Sequence, residues 1–418
     1  MTSAEQKHRP VSHSVEARSS VTCSRVVHAV YRKSEKRVGE LMQLSETVKL
    51  YMSKTEYILI NATMDLYIST VNSIVSDAVN GASIAKLTTK DVDADLPSAL
   101  TNQCIRDAKS IVKKYNKACR DADRKNAKLA KQGKDIKVVA TLPVLKKPCC
   151  YINNQNYKVN GNNIEFPVMI NGKSKRLSIR TKMTDKQNSV FATSKLGTMR
   201  IVVKSNSIVA QIVYGADEPV CHDDGNIMGV DLGIKCPAVS KCSDGSVKFY
   251  GNGRKNKAIR RHFATKRKAL QKAKHQDAVE HINSKEQRIM KDIDHKLSHD
   301  IVATAVTHNV KTIKLEQLQN IRSTTRTSRK NNHSLHSWSF YRLAQYIEYK
   351  AKLAGIEVLY VNPAYTSQRC PVCGDVHHAN DRNYTCKCGY HIHRDILGAV
   401  NICNSTEYVG DSNIRRTA

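Results

Sequence analysis

"CPVCGDVHHANDRNYTCKCGYHIHRDILGAVNI" spans residues 370–402. Cys370 and Cys373 are followed, after 12 intervening residues, by a second pair, Cys386 and Cys388. Thiolate pairs of this kind close on a zinc ion, and a four-ligand zinc site has no open position for chemistry. Its work is to fold a segment too small to fold by itself. Only Lys387 separates the second pair, which makes a tight ring, so His391 or His393 can replace one thiolate. Two residues past His393, Asp395 opens an apolar helical pattern, "DILGAVNI". A metal clamp thus abuts a carboxylate, and the reason lies upstream.

The short apolar run "IMGVDLGI" (227–234) reads as a strand ending in Asp231. "CPAVSKC" and "SVKFY" flank the turn Ser243-Asp244-Gly245 as a hairpin. Residues 254–309 read as a helix pair, with Ile282, Ile289, Ile293, Leu297 and Ile301 at helical spacing. "VKTIKLEQL" (310–318) is a strand containing Glu316, "WSFYRLAQYIEYKAKLAG" (338–355) is a helix stopped by Gly355, and "IEVLYVNP" (356–363) is a strand. Three strands, helix, strand, helix, strand, insertion, helix is the order of an RNase H-like mixed sheet. The 370–393 segment is then an insertion before the last helix.

Asp231, Glu316 and Asp395 each stand at the end of a strand or the start of a helix. Side chains at the exposed ends of central strands reach the crevice where sites form. Taken singly, such an acid is a turn former or an N-cap. Three converging carboxylates repel unless cations bridge them, and a few oxygen ligands suit Mg²⁺. Two Mg²⁺ ions about 4 Å apart activate water and stabilise a leaving oxygen in phosphodiester cleavage.

The first half has another rhythm. Residues 1–22 read as a disordered tail, and "SRVVHAVYR" (24–32) alternates like a strand. A helical pattern runs from Ser45 to Val79, and a long basic helix covers 96–134 with Leu100, Cys104, Ala108 and Ile111 as its stripe. Strands punctuated by turns follow at 151–181, then a hairpin at 197–215 around Ser205-Asn206-Ser207. The reading is of strands interrupted by a helical insertion at about 45–135, with the domain boundary near residue 222 and a tail from 405 to 418.

Lys and Arg number 68 against 37 Asp and Glu, a formal charge of +31 over 418 residues. Such an excess suits a polyanionic partner, with nucleic acid ahead of anionic membrane. "GRKNKAIRRHFATKRKALQKAK" (253–274) carries ten basic residues and no acid, a rod able to track a phosphate backbone. "NIRSTTRTSRKNNHS" (320–334) is a basic loop, read as a mobile lid or a plain connection. Trp338 reads as core packing rather than a stacking platform. The 13 cysteines fit a reducing compartment with one metal cluster better than a disulfide framework. No signal peptide or span is visible, since the longest apolar stretch, "YILINATMDLYI", is broken by Asn61 and Asp65. An intracellular protein without a membrane partner is expected.

"GVDLGI", "IKLEQL" and "HRDILGAVNI" resemble the three RuvC nuclease motifs of the TnpB family, which includes compact type V CRISPR effectors of similar size. The run from Ser337 into "CPVCG" resembles that family's tryptophan–helix–strand approach to its zinc module. "LPSALTNQCIRDAKSIVKKY" resembles its N-terminal helical region, and "KKPCCYINNQNYKV" and "LGTMRIVVK" its strands before the nuclease. The likeness covers residues 96–404. It departs at Cys386-Lys387-Cys388, where the family has two residues between the cysteines. The resemblance implies an α+β and α/β multidomain chain: an N-terminal β-barrel with helical insertion (23–222), then a RuvC-like RNase H-type domain (223–404) with a zinc ribbon inserted at about 366–393. It implies that Asp231, Glu316 and Asp395 are catalytic and hold two Mg²⁺ ions. A guide RNA and a target DNA become the expected partners, in the cytoplasm of a prokaryotic cell at the nucleoid. Monomer and homodimer both remain open. Outside this reading stand a guide-independent transposase or resolvase, and a guide-directed binder with a dead site, against which the intact acids argue.

Overall fold

The computed structural model describes residues 42–409 except 136, 205–206, 218, 222, 319–327, 329–334, 337 and 380. The tail at 1–22, the strand expected at 24–32, the turn residues 205–206, all of the 320–334 loop but Ser328, and residues 410–418 lie outside the described residues. The chain divides after Asp217 into two compact units.

In the first unit, seven strands form one sheet: β1 (Met42–Tyr51), β2 (Cys149–Ile152), β3 (Lys158–Asn160), β4 (Asn163–Ile170), β5 (Lys173–Thr181), β6 (Leu196–Lys204) and β7 (Ser207–Ala216). Their order is β2-β6-β7-β1-β5-β4-β3, antiparallel throughout. Strand β1 serves two ladders, pairing β7 from Met42 to Lys49 and β5 at Leu50 and Tyr51. The sheet therefore curls into a half barrel. Its edges β2 and β3 do not pair with each other, so the expected barrel is not closed among the described residues. Ile164, Phe166 and Val168 of β4 are buried in alternation, as a sheet with one covered face requires.

That cover comes from α1 (Lys54–Val79) and α2 (Ser98–Lys131). The helix expected from Ser45 begins later, because Ser45–Tyr51 belongs to β1. Ser53 marks the true start: its hydroxyl accepts from the Glu56 N–H, and the Glu56 carboxylate accepts from the Ser53 N–H at 2.7 Å. The apolar run continues beyond Asp65 to Val79, so α1 is long and apolar enough to cross a membrane by length and composition. Here it is a core helix, with Ile60, Met64, Tyr67, Val71 and Ile74 buried against the rest of the unit. A short helix, α3 (Asp185–Thr193), was not expected; Thr184 and Gln187 form its capping box.

The second unit holds a five-stranded sheet of β8 (Asn226–Asp231), β9 (Ala238–Cys242), β10 (Val247–Tyr250), β11 (Val310–Glu316) and β12 (Glu357–Val361). The order is β10-β9-β8-β11-β12, antiparallel up to β8 and parallel from β8 to β12. This is the mixed sheet the element order predicts. Between β10 and β11 runs the helix pair α4 (Gly253–Lys272) and α5 (Gln276–Thr307), and α6 (Phe340–Leu353) joins β11 to β12. Leu297 and Ile301 of α5 enter the core with Ile313, Leu315 and Ile347, and Trp338 packs against the same cluster. A two-stranded ribbon, β13 (Asn383–Thr385) and β14 (His391–His393), precedes α7 (Arg394–Asn404).

Candidate active site and metal centre

Asp231 and Glu316 close neighbouring parallel strands. Leu315 stands opposite Val230, so the two acids occupy the next positions of their strands at the carboxyl edge of the sheet. Asp395 arrives from a third element, in the first turn of α7. That helix lies directly on β8. A Cβ on Gly229 would collide with the Ala399 carbonyl and the Cys403 nitrogen. Only hydrogen fits between strand and helix there. One turn toward the acid, Gly398 faces the Asp231 carboxylate.

The far end of α7 is also fixed. Lys314, 4 % exposed on β11, donates to the carbonyls of Cys403 and Ser405, each at 2.8 Å. A cation at a helix C-terminus satisfies the last carbonyls and the helix dipole together. Asn401 donates to the carbonyls of Thr366 (2.7 Å) and Arg369 (2.8 Å), tying α7 to the segment that enters the ribbon. Thr366 in turn donates from its hydroxyl to Glu316.

Burial pushes the Asp231 carboxyl well above the usual carboxylate range, and the negative charges of Glu316 and Asp395 push it further, against Arg394 and Arg382. Burial raises Glu316 to about 7, although the Thr366 hydroxyl works in the opposite direction. Asp395 carries an ion pair with Arg382, from the residue just before β13. The three acids thus share one electrostatic neighbourhood. Their hard oxygen donors fit a divalent cation such as Mg²⁺, whose charge would favour the ionised forms of Asp231 and Glu316.

The cysteines are more tightly gathered. The sulfurs of Cys370, Cys373, Cys386 and Cys388 all lie within 4.8 Å of one another, with Cys370–Cys388 at 3.6 Å and Cys373–Cys386 at 3.4 Å. This cluster can chelate a metal ion. Gly374 N–H donates to the Cys370 carbonyl (3.0 Å) and Gly389 N–H to the Cys386 carbonyl (3.0 Å), both glycines having positive φ. The first turn, 370–374, has five residues and the second, 386–389, has four, so the missing residue is absorbed by a shorter turn. His391 and His393 are occupied elsewhere: His391 Nδ1 meets the Thr385 hydroxyl at 2.8 Å, and His393 Nδ1 accepts the Asp395 N–H at 3.2 Å. Asp375 and His377 form a second close group with Cys386. Burial raises the Cys370 thiol, but N–H groups of Cys373 and Val372 outweigh it and hold the thiol at about 7. The ribbon packs on α7 through Tyr384, Cys370, Cys386 and Leu397.

Of the ten basic residues at 253–274, Arg260 and Arg267 pair with Glu286 of α5, and the other eight are exposed. Arg382, Thr366, Lys314 and Gly229 had no sequence signal of their own beyond lying near the motifs.

Residues 340–402 match the family model described as Cas12f1-like, TNB domain. The chain is 36% identical over 165 residues to a TnpB-like protein of Methanocaldococcus jannaschii, covering 37% of this chain and 59% of that protein. It is 30% identical over 198 residues to a CRISPR-associated endodeoxyribonuclease, Cas12f1, of Sulfoacidibacillus thermotolerans, covering 43% and 46% of the two chains. The matched parts thus span about half to three fifths of these relatives. The fold is similar to that of Cas12f1 in a complex with single-guide RNA and target DNA, with a TM-score of 0.58 at 15% identity over 84% of this chain and 82% of that one. It is also similar to CasPhi-2 bound to crRNA, with a TM-score of 0.50 at 9% identity over 86% and 97%. Residues 340–402 thus resemble a Cas12f1-like TNB domain, and the chain is similar over about two fifths of its length to TnpB-like and Cas12f1 proteins.

Proposed function

We propose that the chain is an RNA-guided, Mg²⁺-dependent DNA endonuclease of the TnpB type, cutting DNA paired to a guide RNA. The observation that carries this is the meeting of Asp231, Glu316 and Asp395 from β8, β11 and α7 at one edge of the sheet. These acids would hold the magnesium, which when bound activates water and stabilises the leaving oxygen of a phosphodiester. Asp231 and Glu316 would supply the ligands on the rigid strands. Arg382 would hold Asp395 in orientation through its ion pair. Such a site cuts one strand at a time, so the duplex must first be opened, and guide pairing does that. The eight exposed bases of the 253–274 segment offer phosphate contacts.

Cys370, Cys373, Cys386 and Cys388 would hold a structural zinc in a ribbon at about 366–393. The half-barrel unit, read as 23–222 with its helical insertion, would recognise the flanking DNA as part of a β-barrel. The nuclease domain would run from 223 to 404, in a prokaryotic cytoplasm. A compact type V CRISPR effector is the second reading, favoured by the TNB match and the Cas12f1 relative.

Sequencing the RNA that co-purifies with the chain separates these readings. A transposon-end RNA supports the first and a CRISPR-array RNA the second. A matching duplex should be cut in magnesium by the wild type and not by Asp231→Ala. RNA-free protein that cuts DNA would instead support a guide-independent transposase or resolvase.

A further inference from the structure

Phe249 is out of place for a core residue. Of the five phenylalanines in the chain, Phe166, Phe191 and Phe263 are buried and Phe340 is half-buried, whereas Phe249 is 48 % exposed. It sits on β10, the outer strand of its sheet among the described residues. An exposed aromatic on a sheet edge is a liability for unwanted pairing.

Its position is set by the ladder. Phe249 stands opposite Val239, and Val239 opposite Asp231. Residues opposite each other share a face of the sheet, so Phe249 lies on the face of Asp231, two strand spacings or about 10 Å away. Between them comes the start of α7. The Phe249 ring meets the His393 ring edge to face, with centroids 5.5 Å apart and planes at 80°. His393 caps α7 and binds the Asp395 backbone, so the aromatic pair flanks the acid directly. The segment that follows β10 is cationic. Gly253 N–H donates to the Lys235 carbonyl (3.0 Å), holding that loop against the start of α4, and Lys235, Arg254 and Lys255 are all exposed. An exposed aromatic face with basic neighbours is the arrangement that holds single-stranded nucleic acid: bases stack while cations meet phosphates.

We infer that Phe249, braced by His393, is a stacking step for a base of the single DNA strand lying in the acidic site. This rests on the nuclease reading above. The step receives the nucleotide beside the phosphate that reaches Asp231 and Asp395. Stacking on a ring is tolerant of base identity, so the step would position the strand without selecting a sequence.

The test measures binding and needs neither cleavage nor a guide. Full-length protein in magnesium-free buffer is titrated into an oligodeoxythymidine carrying one 2-aminopurine, whose fluorescence falls on stacking. The wild type and Phe249→Tyr should quench the probe. Phe249→Ala should lose the quench, with the slope of log affinity against log salt unchanged because the phosphate contacts remain. Where the quench reports the stacked fraction, the loss should correspond to about 5- to 100-fold weaker base engagement. Equal quenching by Phe249→Ala, or no quenching by the wild type, overturns the step. The nuclease reading stands or falls separately, on cleavage by the wild type and Asp231→Ala.

Discussion

The second unit carries two donor sets of opposite character. The four thiols of the ribbon are gathered within 4.8 Å, each turn closed by its own backbone hydrogen bond. The three carboxylates come from three elements, and two arginines, Arg394 and Arg382, act on them. Soft donors pre-assembled by local turns suit an ion that builds structure. Hard donors assembled by the tertiary fold suit ions that enter with a substrate. The difference is between a site that folds a segment and a site that a folded segment must complete.

The contrast can be broken at the acids first. Asp231→Ala should cost several kcal/mol of rate, roughly a hundredfold to a thousandfold in cleavage of a matched duplex, with the melting temperature little changed or raised. Unchanged cleavage would remove Asp231 from the proposed chemistry. On the ribbon side, Cys373→Ser and Cys388→Ser should each lower bound zinc per chain and open residues 366–393 to limited proteolysis. His391→Ala should leave the zinc content as it was, because its ring is held by Thr385. Zinc lost in His391→Ala but kept in Cys388→Ser would reverse the ligand assignment.

A third change tests the link between the two regions. Gly229→Ala drives a methyl into the α7 backbone, so the helix must lift and take Asp395 with it. Overpacking of this kind costs about 1–3 kcal/mol, and cleavage should fall while zinc content stays constant. The smallest effect is in pH. Glu316 is raised to about 7 from an ordinary value of 4.5, so the folded state binds more protons than the unfolded state between them. Stability of the magnesium-free protein should therefore fall as pH rises from about 4.5 to 7, and Asp231 acts in the same direction. Glu316→Gln should flatten that part of the melting curve; an identical pH slope in both proteins would show that Glu316 is not held protonated.

Much of this was legible in the chain, for stated reasons. Strand-end acids can be found because a strand this short and apolar leaves only its tip for chemistry, as Asp231 and Glu316 do. The cysteine spacing carries its own geometry. What could not be read were pairings across the fold. Arg382 looks like any loop arginine until Asp395 is brought beside it. Gly229 looks like a weak point of a strand until α7 lies on it. Ser45–Tyr51 looked helical because its apolar residues precede a true helix, yet Val48 and Leu50 alternate into the core of a sheet. The exposed and paired members of the basic 253–274 segment are equally unreadable without Glu286 in place.

The ribbon's place in the chain sets an order of assembly. A ribosome makes Asp231 first and Glu316 next, then the four cysteines, and Asp395 only after them. Domains fold as they emerge, so a nascent chain spends its growth with two acids and no third. The last acid opens a helix that packs on the ribbon as well as on β8. Under the proposed function, chains without the ribbon's metal would therefore hold nucleic acid without cutting it.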